Sequence, residues 1–237
     1  MRQERSIYPE CRNWRATAAA WVGPTEIASL SRDGVRRLGK FPANGDWHRL
    51  SQVWFARPPR YFGRFPTAAK AACGVACMLM QDADPQWKPE LKSEIGLLGV
   101  GLEPTREVNF EYFRDYVAAG RSLARGNLFV YTLPTAALAE ASIACGLAGP
   151  SWFMQAERQP FAALLQAAGQ ELRSGRAQAI LALWLSTAGA AGVRLDRGQR
   201  DSEDVAGIVE PKALLEAAAE WSEIDEMIGY FTTRKPL

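Results

Sequence analysis

IGLLGVGL (residues 95–102) and AILALWL (residues 179–185) decide the fold of this chain. Each is a short, continuous apolar run, without the polar alternation of a strand that has one wet face. Runs of this kind are strands covered on both sides. The segment between them reads as helices and one further strand. Residues 107–119 form an amphipathic helical pattern, with Phe110, Phe113 and Val117 on one face. Pro134 opens a helix of small residues that runs to Cys145, and Gly146 stops it. Residues 151–156 suit a short strand. Pro160 opens a third helix with a stripe of Phe161, Leu164, Leu165, Ala168 and Leu172, and Gly175 ends it.

Outward from this centre the reading thins. Upstream, Pro66 suits the first turn of a helix to about Gln81, and residues 82–89 form a loop. Residues 1–64 are irregular and rich in Arg, Pro and Gly. Trp14, Trp21, Trp47 and Trp54 lie there, so the segment packs onto something, though its elements are not placed. Downstream of residue 185 comes a Gly- and charge-rich stretch, and Pro211 opens a helix through about Met227. Residues 187–237 either complete the sheet or form a separate clasp. The alternation of helices and buried strands gives the α/β class, with five or so strands covered by helices and residues 1–237 in a single domain.

Composition is compatible with this picture. Of the 237 residues 48% are hydrophobic, enough for one substantial core or two small ones. Net charge is +2, so bulk charge gives no argument for nucleic acid. Its distribution is uneven. Residues 31–70 carry nine basic side chains, among them Arg57, Arg60 and Arg64, against Asp33 and Asp46. Residues 201–227 carry nine acids against Lys212. No secretory signal and no membrane-length apolar run is read, so the four cysteines are expected to be reduced thiols in the cytoplasm. Cys73 and Cys77 share a helix face and read as core-filling thiols. A metal site would need two more ligands, and the chain has one histidine, His48. No metal and no cofactor is expected.

Other chemistries fail on their residues. There is no P-loop or dinucleotide-binding glycine motif. Gly96, Gly99 and Gly101 lie inside a strand-like run, where close backbone packing is the expected role. A Cys–His or Ser–His–Asp arrangement would have to use His48, in an irregular region and without a nucleophile-elbow sequence.

Residues 95–185 resemble the N-terminal half of a β-ketoacyl synthase of the thiolase superfamily. The likeness is nearest to the short chain-length-factor-like subunits of aryl-polyene-type clusters. It rests on IGLLGVGL followed by the helix NFEYFRDYVAAGRSL, on FVYTLPTAALAEASI (residues 129–143) running into ACGLAGP, and on residues 161–176 ending RSGR before AILALWL. The helix after Pro66 is similar to the family's first long core helix. The resemblance implies half of a thiolase-like fold with a mixed sheet. It also implies that the strand and turn after Gly149-Pro150 lie at a subunit-pairing surface.

The same resemblance exposes two departures. The family places a nucleophilic cysteine in the turn after the Gly-Pro strand, where the thiolate attacks an acyl thioester near a helix N-terminus. Ungapped counting puts that position at Arg158, between Glu157 and Gln159, and none of these is an acyl nucleophile. The family's two catalytic histidines come from its C-terminal half, and no histidine follows His48. No catalytic residue is therefore assigned, and the chain is expected not to be a condensing enzyme.

The expected function is a non-catalytic subunit paired with a full-length ketosynthase in fatty-acid-, polyketide- or aryl-polyene-like biosynthesis. Thr135, Trp152, Phe153, Met154 and Phe161 are candidates for the interface or for the end of an acyl tunnel. The basic region suits an acidic acyl carrier protein. No nucleic acid and no membrane partner is expected. Two alternatives stand: a free-standing homodimer that binds an acyl chain or carrier protein, and a divergent acyl-transfer enzyme using Glu157 as its base.

Overall fold

The computed structural model describes residues 14–23, 26–31, 33–40, 46–121, 125–198 and 207–233. One mixed sheet of seven strands runs through it, in the order β3-β2-β1-β7-β6-β4-β5. The two runs that decided the fold are central. β4 (Ile95–Val100) and β6 (Ala179–Leu185) pair in parallel, and every residue of both is buried. β5 (Ser151–Met154) adds in parallel to the far side of β4. On the other side the sheet turns antiparallel: β7 (Ala190–Arg197) pairs with β6, β1 (Trp14–Val22) with β7, β2 (Ile27–Ser31) with β1 and β3 (Gly34–Gly39) with β2.

Four of these strands correct the sequence reading. β1, β2 and β3 come from the region read as irregular, and β7 from the Gly- and charge-rich stretch. β1 reads WRATAAAWV and β7 reads AAGVRLDR. Alanine and glycine carry little strand propensity, so their place is set by the neighbours they pair with. In β1 the pairing register shifts between Ala16 and Ala18. This bulge keeps Trp14 and Ala16 on the same face of the sheet as Ala19 and Trp21, against strict alternation.

Helices cover both faces. α2 (Thr67–Ala83) and α5 (Pro134–Cys145) pack on each other and on one face, over Ala18, Ala20, Leu97, Leu181 and Leu183. The other face is covered by α6 (Pro160–Arg173), α7 (Pro211–Ala218) and α8 (Ile224–Thr233), over Trp21, Leu98, Ile180, Val193 and Leu195. α1 (Asp46–Trp54) precedes α2, and Trp54 lies directly over Gly74, where a Cβ would come within 2.6 Å of its ring. Small residues on α2 thus permit the close packing of α1 and α5. Gly146 takes the left-handed conformation, φ 67°, that ends α5.

The segment read as one helix from Pro211 is two, parted at residues 219–223 with Trp221 buried between them. The second start has a local cause. The Glu226 carboxylate accepts the backbone N–H groups of Ser222 and Glu223 at 2.6 and 3.1 Å and the Ser222 hydroxyl at 3.2 Å. Those donors hold its carboxyl below the usual range. The three thiols Cys73, Cys77 and Cys145 are wholly buried in the α2/α5 layer, and Cys11 lies outside the described residues. Among the described residues no His/Cys/Asp/Glu cluster is arranged to hold a metal, and no helix is long and apolar enough to cross a membrane.

Candidate functional site

The site grows from the exit of β4 and the entry to α6. Gly96 sits where a Cβ would lie 2.7 Å from the Pro150 carbonyl oxygen, so glycine lets the Gly149-Pro150 segment reach the sheet. Leu97 N–H donates to that carbonyl at 2.9 Å, and Gly149 N–H donates to Ile95 at 3.0 Å. β5 starts from this anchor. It is the last strand on its side, so among the described residues its outer edge carries no partner. Such an edge presents unpaired N–H and C=O groups and accepts another strand.

Beyond β5 the chain turns sharply into α6. Gln159 holds the turn in the left-handed conformation (φ 48°, ψ 50°), and Pro160 follows as the first helical residue. Three non-glycine residues among those described have positive φ, and Gln159 is one of them. Glu157, Arg158 and Gln159 are all exposed. The turn therefore has the shape of an elbow at a helix N-terminus, with a carboxamide at its apex and no thiol or hydroxyl beside it. Ungapped counting gave Arg158 the elbow position. The left-handed residue is its neighbour Gln159.

The candidate interface residues divide. Trp152 and Met154 pack toward the α6/α7/α8 side and Phe153 toward the α2/α5 side, as alternation requires, and all three stay partly exposed at the edge. Thr135 is exposed on the first turn of α5. It shares a helix face with Ala139 and Ile143, also exposed, Ile143 to 76%. Phe161 differs from them in burial. It is fully buried, with its ring 5.9 Å from Trp184 and 5.8 Å from Trp221, and is a core residue.

Sequence reasoning missed an adjoining surface. α3 (Arg106–Ala118) carries the expected stripe, but the stripe faces solvent: Phe110, Phe113 and Val117 are exposed, and Val108 is the one buried residue of the helix. Phe129 and Val130 of α4 (Gly126–Val130), Leu133 and Leu102 are exposed beside it. Of these, Leu102, Phe110 and Phe113 line one groove, and exposed apolar side chains gathered in this way are characteristic of interaction surfaces. The signal was present in the stripe itself. Periodicity shows that a helix has an apolar face but not what covers it.

The basic region resolves into a second surface. Arg60 and Arg64 place their guanidinium carbons 4.8 and 5.0 Å from the ring centre of Tyr61, itself exposed and in the left-handed conformation. Among the described residues Arg49, Arg57, Arg60 and Arg64 have no carboxylate within ion-pair distance. Arg36 and Arg37 pair with Asp82 and Glu26. Arg32 lies outside the described residues. His48 sits on α1, its Nε2 3.1 Å from the Gln52 side-chain nitrogen and far in sequence from the elbow.

No protein-family model matches the chain, and no curated protein matches it in sequence. Its fold does have solved counterparts. A chain of the ishigamide ketosynthase/chain length factor superposes with a TM-score of 0.60 at 13% identity, over 83% of this chain and 64% of that one. A chain from the ketosynthase ApeO in complex with its chain length factor ApeC, from Xenorhabdus doucetiae, superposes at 0.51 and 12% identity, over 88% of this chain and 92% of that one. A third, from the complex AntDE:AntF, a type II polyketide acyl-carrier protein with its ketosynthase bound to the hexaketide, gives 0.50 at 12% identity, over 78% and 58%. At these identities the likeness is one of fold: an α/β, thiolase-like fold of the ketosynthase and chain-length-factor type. The chain spans less than two thirds of the first of these structures, 64%, and 92% of the second.

Proposed function

We propose that this chain is a non-catalytic ketosynthase-like subunit of the chain-length-factor type, pairing with an active ketosynthase in a fatty-acid-, polyketide- or aryl-polyene-like biosynthesis in the cytoplasm. The observation that carries the reading is the left-handed elbow before α6, where the resembled family keeps its nucleophilic cysteine and this sequence has Glu157, Arg158 and Gln159. None can form a thioester. The unpaired edge of β5 and the exposed faces of α3 and α5 support a pairing role. The whole chain serves as one ketosynthase-like domain in this reading. Trp152, Phe153, Met154 and Thr135 lie at the pairing surface, and no metal or cofactor takes part. Arg60 and Arg64 over Tyr61, with Arg49 and Arg57 also free of carboxylate partners in the same stretch of chain, give an acidic carrier protein basic groups to dock on.

The same open edge favours a second reading. A strand edge on a two-fold axis pairs with its own copy, so a homodimer that holds an acyl chain is compatible with the geometry. Affinity purification from native lysate, with mass spectrometry, separates the two. Recovery of a cysteine-bearing ketosynthase near one-to-one, which gains condensation activity when reconstituted with this chain, supports the subunit. A stable dimer of the chain alone, with no such protein recovered, overturns it in favour of the homodimer.

A further inference from the structure

Two short stretches each carry charge of one sign. Residues 57–64, RPPRYFGR, hold three arginines and no acid, and residues 220–226, EWSEIDE, hold four acids and no base. Arg57, Arg60 and Arg64 are exposed and make no ion pair among the described residues. Arg60 and Arg64 both lie over the Tyr61 ring, which keeps the two guanidinium groups together. In the acidic stretch Glu226 is spent on the Ser222 and Glu223 N–H groups. Glu220, Glu223 and Asp225 are exposed and make no ion pair among the described residues. Three cationic side chains thus stand without a partner in one place and three anionic ones in the other.

The two stretches are anchored on opposite faces of the sheet. Phe62 and Phe65 pack into the cluster under α2 and α5, and Trp221 and Met227 pack into the cluster under α6, α7 and α8. No ion pair joins the stretches within the molecule. Exposed charge of one sign repels itself and attracts a surface of the other sign. Complementary patches on opposite faces of one molecule make a heterologous contact, which leaves one patch of each sign free and so repeats.

We propose that the chain associates head to tail with further copies of itself, the arginines of residues 57–64 in one molecule set on the carboxylates of residues 220–226 in the next. The occupant is a second copy because the complementary charge belongs to this same chain. The contact differs from strand pairing at β5, which joins like edges and closes at two. It engages the arginines offered above to a carrier protein, so a docked copy and a docked carrier protein exclude each other. The inference stands without the ketosynthase pairing.

Sedimentation velocity of the full chain in about 20 mM and about 500 mM sodium chloride tests it. At low salt the weight-average mass is expected to rise with concentration past that of a dimer. At high salt the association constant should fall about tenfold or more, because exposed charges are screened. Arg60→Glu with Arg64→Glu, and separately Glu223→Lys with Asp225→Lys, should each remove the association. All four positions are exposed, so both variants should melt within about 2 °C of the parent. An equal mixture of the two, one acidic at both places and the other basic at both, should associate again, which a misfolded variant would not do. Arg106→Glu with Arg114→Glu changes net charge as much from exposed positions on α3 and should leave association in place. A chain that stays monomeric at low salt, as it would if its arginines serve only an acidic protein of another kind, overturns the proposal. So does association indifferent to salt or to either pair of reversals, as a dimer through β5 would be. A mixture that stays apart, or equal loss in the α3 variant, overturns it too.

Discussion

The rings of Phe161 and Trp184 stack 5.9 Å apart with their planes 12° from parallel. The pair fixes the first turn of α6 on the end of β6, one residue beyond Pro160, so the elbow at Gln159 is held by the core rather than by its own exposed side chains. Phe161→Ala is expected to cost about 3–5 kcal/mol, as for other buried aromatics. Arg158→Ala, exposed in the same turn, should stay within about 0.5 kcal/mol. Urea denaturation followed by circular dichroism measures both.

Burial pushes the Cys73, Cys77 and Cys145 thiols up, and the Cys77 thiol donates to the Trp54 carbonyl. A raised thiol stays protonated at pH 8 and is a poor nucleophile. Iodoacetamide at that pH should leave all three unlabelled in the native chain and label all three in denaturant. Peptide mass spectrometry reads the difference. Labelling of any of the three in native conditions would show that the α2/α5 layer opens.

Asp82 is pushed upward by burial, against the pull of Ser29 and of Arg36 at 2.9 Å. A carboxyl whose folded value is raised favours the folded state when protonated. Its contribution is full below the unfolded value and is lost as pH rises through the folded one. Asp82→Asn should therefore gain on the parent chain between pH 4 and pH 7. Melting curves for the two proteins across that range test the sign, and a relative loss with rising pH is the contrary result.

Gly74 lies under the Trp54 ring. Alanine raises helix propensity by about 1 kcal/mol at an unhindered site. Here the added methyl must displace an indole locked between helices, so Gly74→Ala should be net destabilising, by about 1–3 kcal/mol. A more stable variant in urea would mean that Trp54 yields without cost.

Ile143 stands 76% exposed on the α5 face it shares with Thr135 and Ala139. In the pairing model Ile143→Arg should leave the melting temperature of the isolated chain within about 2 °C. It should also abolish co-purification of a ketosynthase partner. Undiminished pairing would move the interface elsewhere.

The sequence by itself determined the elements whose signal is local. IGLLGVGL and AILALWL had to be buried strands. The Phe161–Leu172 stripe had to face a core, and Pro134, Pro160 and Gly146 punctuate helices by the backbone angles they impose. It also determined that residues 157–159 hold no acyl nucleophile. The Glu226 cap was not legible, since Glu223 rather than Ser or Thr stands three residues before it, and the long helical reading passed over that helix start. Tertiary structure decided the rest. Alanine-rich β1 and β7 are strands because β6 and β2 offer edges to pair with, which no local propensity reports. The stripe on α3 was visible, but only the three-dimensional arrangement shows that it faces outward, since amphipathicity names a face and not its cover. Phe161 and Trp152 are both bulky aromatic residues close to the turn. Burial depth, which depends on what α7 and α8 bring from far along the chain, makes one a core residue and leaves the other at an open edge.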